Sequence, residues 1–442
     1  MRITSIISEY NPFHEGHKYH MENTKKITNS DYTIVIMSGN FTQRGTPAII
    51  DKYARTKQAL LCGADLVLEL PVCFATASAE GFAFGAVSIL DKLGVVDSLV
   101  FGSESGDINC IKKVADFLLD EPSEYKEHLQ HFLKQGLTFP KARSCALQEF
   151  LPDLDKNFLS SSNNILGIEY CRALNYFNSS ITPMTIARKD NLYNDEDLAE
   201  TGKLSSATAI RKVLMGLNFS METDSKISKH ENVSFQNKGY ENKDFEAWNV
   251  FAPLLAHVPE NSLKIVREHW GISAPISSND FSLILKYKLL MGNCDSLTLC
   301  ADVTSDLADR IYNNINSYKD FDSFCELLKT KELTYTRISR SLLHILLDIK
   351  KNDYDAIKNA RYGQYARILG FRKESSALFH EIKKHSSIPL ISKVSDSVKE
   401  LDGIALSMLE KDIQVSHIYE SVVADKFGQE FKNEFQRQLV IV

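Results

Sequence analysis

The chain opens with a short, β-branched apolar run, RITSIIS at residues 2–8, of the kind that fills a buried strand of a parallel sheet. Asn11 and Pro12 end it. The same alternation then repeats. Residues 31–39 (DYTIVIMSG), 65–71 (DLVLELP) and 98–104 (SLVFGSE) read as strands, and 51–64 (DKYARTKQALLCGA) and 77–93 (ASAEGFAFGAVSILDKL) as the helices between them. Four parallel strands with crossover helices predict an α/β fold, a doubly wound, Rossmann-like sheet. Helical patterns follow from Asp107 to about Leu174, then a strand-like TPMTIAR at 182–188. In KLSSATAIRKVLMG, Ser205 and Ser206 are good amino-terminal caps for a helix bearing Arg211.

Residues 218–246 are polar and poor in large apolar side chains, which reads as a linker or long surface loop. From Trp248 onward the apolar spacing is mostly helical, with no run of strands. The expected layout is an α/β domain over 1–217, the polar segment 218–246, and a mainly helical domain over 247–442.

The first strand hands over to a helix through SEYNPFHEGH, where His14 and His17 stand three residues apart and can face one point. That point lies at the carboxyl end of a parallel strand and at a helix amino terminus, where free N–H groups and the helix dipole favour an anion. Gly16 lets the backbone approach such a ligand without a Cβ in the way. Phosphate fits this arrangement. Surface histidines with ordinary partners are the competing reading. A zinc site is disfavoured, since no third ligand stands at a recognisable metal spacing.

With 442 residues, 43% apolar and 24% charged, the chain is long enough for two domains with separate cores. No stretch approaches the roughly 20 apolar residues of a membrane span, and the amino terminus lacks a signal-peptide layout. The eight cysteines are scattered, mostly in apolar or helical contexts, and read as reduced thiols of a cytosolic protein.

A net charge of −6 argues against unselective nucleic-acid binding. The average hides a basic segment: residues 329–393 hold 14 Lys and Arg against 6 Asp and Glu, a local +8. Aromatic side chains are interleaved with it, so Lys329, Lys331, Tyr335, Arg337, Arg340, Arg361, Arg367, Arg372 and Lys373 are expected to contact RNA. Cations engage phosphates while aromatic and guanidinium planes stack on unpaired bases. A solvated helical face with core tyrosines is the alternative.

EYNPFHEGH, MSGNFTQRGTPAIIDKYARTKQAL, ADLVLELP, FGSESGD, SSNNILGIEY and SSATAIRK, in that order, resemble the tRNA(Met) cytidine acetate ligase family of bacterial HxGH nucleotidyltransferase-like enzymes. The resemblance covers nearly all of residues 1–217 and continues through KTKELTYTRISR and YARILGF to PLISK. It implies activation of acetate by ATP to acetyl adenylate, and transfer of the acetyl group to the exocyclic amine of the wobble cytidine of elongator tRNA(Met), without acetyl-CoA. Magnesium is expected with the nucleotide, with no ligands assigned.

The resemblance makes residues 7–20 the ATP loop: Ile7, Ser8, Glu9, Tyr10, Asn11, Pro12, Phe13, His14, Glu15, Gly16, His17, Lys18, Tyr19 and His20, with His14 and His17 on the phosphates. It adds Gly102, Asn163, Asn164, Arg188 and Lys189, and places Ser205, Ser206, Thr208 and Arg211 where relatives grip the β and γ phosphates. Turn formation, helix capping and a strand-end salt bridge are the respective competing roles. Asn40, Gln43 and Arg44 are expected to line the acetate and cytidine pocket, Arg44 alternatively pairing with Asp51 or Glu69. The chain length and the segment 218–246 are somewhat long for the family.

Two other functions share part of this pattern. A small-molecule adenylyltransferase of cofactor biosynthesis shares HxGH but needs no basic, aromatic helical domain. A non-catalytic RNA-binding protein keeps the basic segment yet tolerates loss of His14 and His17, and both are present.

Overall fold

In the computed structural model, which describes residues 1–155, 158–188, 197–199, 204–217 and 250–442, five parallel strands form where the apolar runs lie. They are β1 (Ile3–Ser8), β2 (Tyr32–Ser38), β3 (Leu66–Leu70), β4 (Ser98–Ser103) and β5 (Thr182–Ala187), each ending within one residue of the sequence expectation. Period-two alternation covers both faces. Ile34, Ile36, Leu66 and Leu68 face the layer built by helices Ala79–Leu93 and Ser162–Phe177. Ile6, Val35, Met37 and Val67 face the opposite layer, where α1 (Glu15–Thr28) contributes Met21 and α2 (Lys52–Leu61) contributes Ala59 and Leu60.

Three later strands, β6 (Ala366–Phe371), β7 (Leu390–Ile391) and β8 (Val440–Ile441), complete the sheet, whose order is β5-β4-β1-β2-β3-β6-β7 with β8 also paired to β6. The chain therefore winds outward from β1 through β2 and β3, then returns to the other side of β1 for β4. Ladder pairs between β1 and β4 run only from Thr4–Ser98 to Ser5–Leu99. By contrast β1 stays with β2 to Ser8–Met37, and β4 with β5 to Ser103–Ala187. Past Ser5 the two central strands part at their carboxyl ends, which opens a crevice at the point where the winding reverses, the place where open α/β sheets bind ligands.

The apolar spacing after Trp248 predicts no run of strands, and here the fold differs. β6 (Ala366–Phe371) pairs antiparallel with β3, and β7 (Leu390–Ile391) and β8 (Val440–Ile441) extend the sheet beside β6. A short buried apolar run has no period that separates strand from helix, and two-residue strands have no period at all. Trp248 itself and the polar segment 218–246 lie outside the described residues.

The rest of the carboxyl-terminal half is mainly helical, with a core around Phe281, Leu307, Phe321, Leu342 and Leu346 into which Phe41 of the amino-terminal half inserts. Helix Gly403–Phe427 joins the two parts, packing Met408, Leu409 and Ile413 against the sheet layer and Val415, Tyr419 and Val422 into the helical core.

One basic residue leaves the RNA-contacting set at this level. Arg367, on β6, is 3% exposed. It pairs with Glu69 of β3 at 3.0 Å and with Glu434 at 2.5 Å, while Lys52 of α2 meets the same two carboxylates at 2.8 and 2.5 Å. Burial alone would raise the Glu434 carboxyl, but Lys52 and Arg367 hold it well below its ordinary range. An uncompensated buried charge costs about 3–5 kcal/mol, so the four groups hold together as a unit. A guanidinium so enclosed does not meet a phosphate from solvent. The eight cysteines are free thiols. Among the described residues no helix is long and apolar enough to cross a membrane.

Candidate functional site

The crevice between β1 and β4 is where the histidine pair sits. His14 is the amino-terminal cap of α1: its Nδ1 accepts the Gly16 N–H at 3.1 Å, and the His17 Nδ1 accepts the His14 N–H at 3.3 Å. The two rings stack with centroids 3.7 Å apart. A neutral imidazole that accepts at Nδ1 carries its proton on Nε2. Both rings therefore offer an Nε2–H on the edge away from the helix backbone, side by side in the crevice. Gly16 is required for a reason the sequence reading did not give, because a Cβ there would lie 2.8 Å from His14 Cε1.

Both rings are neutral near pH 7. Burial first, then Arg188 and Arg211, hold His14 down at about 3, and burial, His14, Arg188 and His20 hold His17 well below its ordinary value. Between about 3 and 6.5 the unfolded chain thus binds a proton at His14 that the folded chain does not, so stability rises with pH across that window and falls on acidification. From this group alone, stability is expected to drop by about 2 kcal/mol between pH 7 and pH 5. Urea midpoints of the wild type and of His14→Gln check this, the variant losing correspondingly less.

Positive charge and a second helix start surround the pair. Arg188 directly follows β5, and Arg211 donates to the Asn11 carbonyl at 2.8 Å and to the Thr208 hydroxyl at 3.2 Å. Helix Ala207–Gly216 is capped by Ser206, whose oxygen accepts the Ala209 N–H, and Ser206, Ala207 and Thr208 line the crevice. Two helix amino termini therefore converge on one cleft with two arginines, a strong anion site.

The crevice brings together most of the expected residues: Ile7, Ser8, Glu9, Tyr10, Asn11, His14, Gly16, His17, Tyr19, His20, Gly102, Asn163, Arg188, Ser205, Ser206 and Thr208, with Gln43 and Arg44 on its β2 side. Pro12, Phe13, Glu15, Lys18, Asn164 and Asn40 do not line it. Phe13 is core, and Asn40 is buried with its Oδ1 accepting the Lys52 N–H. Asn164 accepts the Ser105 N–H and donates to the Phe158 carbonyl, which commits its amide to the fold. Asn163 is held by Glu104 at 2.7 Å. The Ser205 hydroxyl meets the Ala199 N–H and His257 Nδ1, both at 2.9 Å, and so packs the cleft wall. Lys189 lies outside the described residues. Asp51 caps α2 and Glu69 belongs to the buried quartet, so neither carboxylate is set aside for Arg44.

Two further residues shape the cleft without any mark in the sequence, Arg55 and His257. Arg55 is fully buried in α2 and donates to the carbonyls of Ile50, Glu9, Ser38 and Gly39, tying the carboxyl ends of β1 and β2 together. His257 also accepts the Glu15 N–H on its carbonyl oxygen, fixing the start of α1. No local pattern marks a buried arginine in a helix, or a histidine some 240 positions away.

The basic helix Tyr335–Leu347 packs directly on the loop that follows β2. Ser339 donates to the Gly45 carbonyl at 2.9 Å. Gly45 has φ +76°, and a Cβ there would collide with the backbone of Ser339 and Arg340. Lys329, Lys331, Arg337, Arg361 and Lys373 are exposed. Arg340 instead pairs with Asp302 at 3.0 Å, Tyr335 donates to Asp322 at 2.8 Å, and Arg372 lies 3.9 Å from Glu374.

The chain matches the family model described as HIGH nucleotidyl transferase over residues 1–434. It is 38% identical to the tRNA(Met) cytidine acetate ligase of Acetivibrio thermocellus over 449 aligned residues, spanning the whole of both chains. With the enzyme of the same name from Clostridium perfringens it shares 40% over 427 residues, 95% of each chain. The length judged long from the sequence is thus shared by the first of these relatives. Among solved structures it is similar to Thermotoga maritima TmcAL bound with alpha-thio ATP, with a TM-score of 0.83 at 30% identity over all of both chains. The apo form of that protein gives 0.85, again over all of both chains.

Proposed function

Because the chain belongs to the HIGH nucleotidyl transferase family and, within it, to the tRNA(Met) cytidine acetate ligases, we propose that it condenses acetate with ATP and passes the acetyl group to the wobble cytidine of elongator tRNA(Met). A carboxylate oxygen of acetate attacks the α-phosphorus and pyrophosphate leaves, giving acetyl adenylate. The cytosine amine then attacks the acetyl carbon, giving N(4)-acetylcytidine and AMP. Acetyl-CoA has no part in this scheme.

The observation that carries the reading is the paired Nε2–H edge of His14 and His17 at the strand-order reversal, ringed by Arg188, Arg211 and the start of helix Ala207–Gly216. Charge grows on the phosphoryl oxygens as the carboxylate attacks, and preorganised donors in a cleft stabilise that charge without moving a proton. The histidines act as donors, not bases. Among the described residues no group of three His, Cys, Asp or Glu side chains could hold a metal ion. Magnesium is therefore assigned no protein cage and no step.

Anchoring the tRNA is the task of the exposed cations around helix Tyr335–Leu347, which the Ser339–Gly45 contact sets against the cleft loop. The cytosine amine is delocalised into its ring and is a weak nucleophile, so holding it against the mixed anhydride supplies the proximity that the second step needs, up to roughly 7–11 kcal/mol in well-oriented systems. Incubation with ATP, labelled acetate and bulk bacterial tRNA is expected to put label in cytidine. Unlabelled tRNA with turnover of a small phosphorylated substrate would overturn the reading.

A further inference from the structure

Acylation of an amine releases a proton, and the histidine pair is not placed to take it. His14 and His17 each spend the Nδ1 lone pair on a backbone N–H, so the nitrogen that faces the crevice already carries hydrogen. His20 is a second possibility, because its Nε2 is buried without a hydrogen-bond partner. Its ring, however, lies against Gly102 and Arg188, on the β4 and β5 side where the phosphate donors gather.

Among the described residues lining the crevice, Glu9 is the one carboxylate. It follows the carboxyl end of β1, and its Oε1 accepts the Gln43 N–H at 2.7 Å. That bond turns the carboxylate toward the loop after β2, the side that carries Gln43 and Arg44 and that packs through Gly45 on the basic helix. A carboxylate has four lone-pair sites, so one bond to a backbone N–H leaves acceptor capacity for a substrate. Its charge also repels a triphosphate, which keeps the nucleotide to the arginine side and the β2 side open for the base.

We infer that Glu9 is the base of the transfer step, accepting the proton of the cytosine amine. In that step the bond from N4 to the acetyl carbon forms. The bond from that carbon to the phosphate oxygen breaks, AMP leaves with the electron pair, and the N4 proton goes to Glu9 Oε2. The inference rests on the acetate ligase reading and adds the group that activates its nucleophile.

Glu9→Gln separates the two steps, since the amide oxygen still accepts from Gln43 but the side chain no longer takes a proton. A positioned base contributes about 10²- to 10⁴-fold. Single-turnover transfer to tRNA from preformed acetyl adenylate is expected to fall by at least about 100-fold, and Glu9→Asp to recover part of it. Acetate-dependent exchange of pyrophosphate into ATP is measured beside it, and the fall in transfer is expected to exceed any fall in exchange by at least about tenfold. Transfer by Glu9→Gln within tenfold of wild type would overturn the assignment, as would loss of exchange in parallel with transfer, which would place Glu9 in activation instead. A wild-type enzyme with no acetate-dependent exchange would overturn the underlying reading itself.

Discussion

Replacing His17 by alanine is expected to abolish acetate-dependent pyrophosphate exchange, a fall of at least about 10²- to 10³-fold, while tRNA retention stays near wild type. The magnitude is that of losing one preorganised donor from a site of developing oxyanion charge. The His17 Nε2–H is such a donor because its Nδ1 is spent on the His14 N–H, which fixes both tautomer and ring plane. The substitution also removes half of a capping box, at about 1 kcal/mol, too little to unfold a chain of this size, and circular dichroism verifies that. Loss of tRNA binding in the same variant would contradict the division of roles.

The mirror result is expected from the basic surface. Lys331, in the turn before helix Tyr335–Leu347, and Arg337, in its first turn two residues before the Ser339 that meets Gly45, are exposed. Reversing both, Lys331→Glu with Arg337→Glu, should weaken tRNA binding on the order of 100-fold at low salt and make the salt dependence shallower by about two. Pyrophosphate exchange should be untouched, since neither side chain lines the crevice. Filter binding across a salt series, run beside the exchange assay, measures both. An unchanged salt slope would remove these residues from the tRNA surface.

Much of the molecule is legible before folding, for a physical reason. Strands β1 to β4 are buried on both faces, so each appears as a continuous apolar run bounded by turn residues; β5 is a half-buried edge strand, and all five lie within one residue of their expected ends. The histidine pair is legible because strand end, turn and helix start are contiguous in sequence. What stays hidden is what forms only across distance. β6 joins β3 across nearly 300 residues, and its arginine looks like any other cation until Glu69 and Glu434 close around it. Asn164 reads like its neighbour Asn163, and only the placement of Ser105 and Phe158 commits its amide. Arg55 carries no signal at all, although it holds the ends of β1 and β2 that shape the cleft.

The central claim is that the two imidazole Nε2–H groups hold the phosphates of ATP for attack by a carboxylate. A crystal structure of this protein with a non-hydrolysable ATP analogue tests it most directly. The account predicts phosphate oxygens within about 3 Å of Nε2 of both His14 and His17, with Arg188 and Arg211 closing on the same chain of phosphates. Rings turned away from the nucleotide, or a triphosphate lying on the Gln43 side beside Glu9, would contradict it.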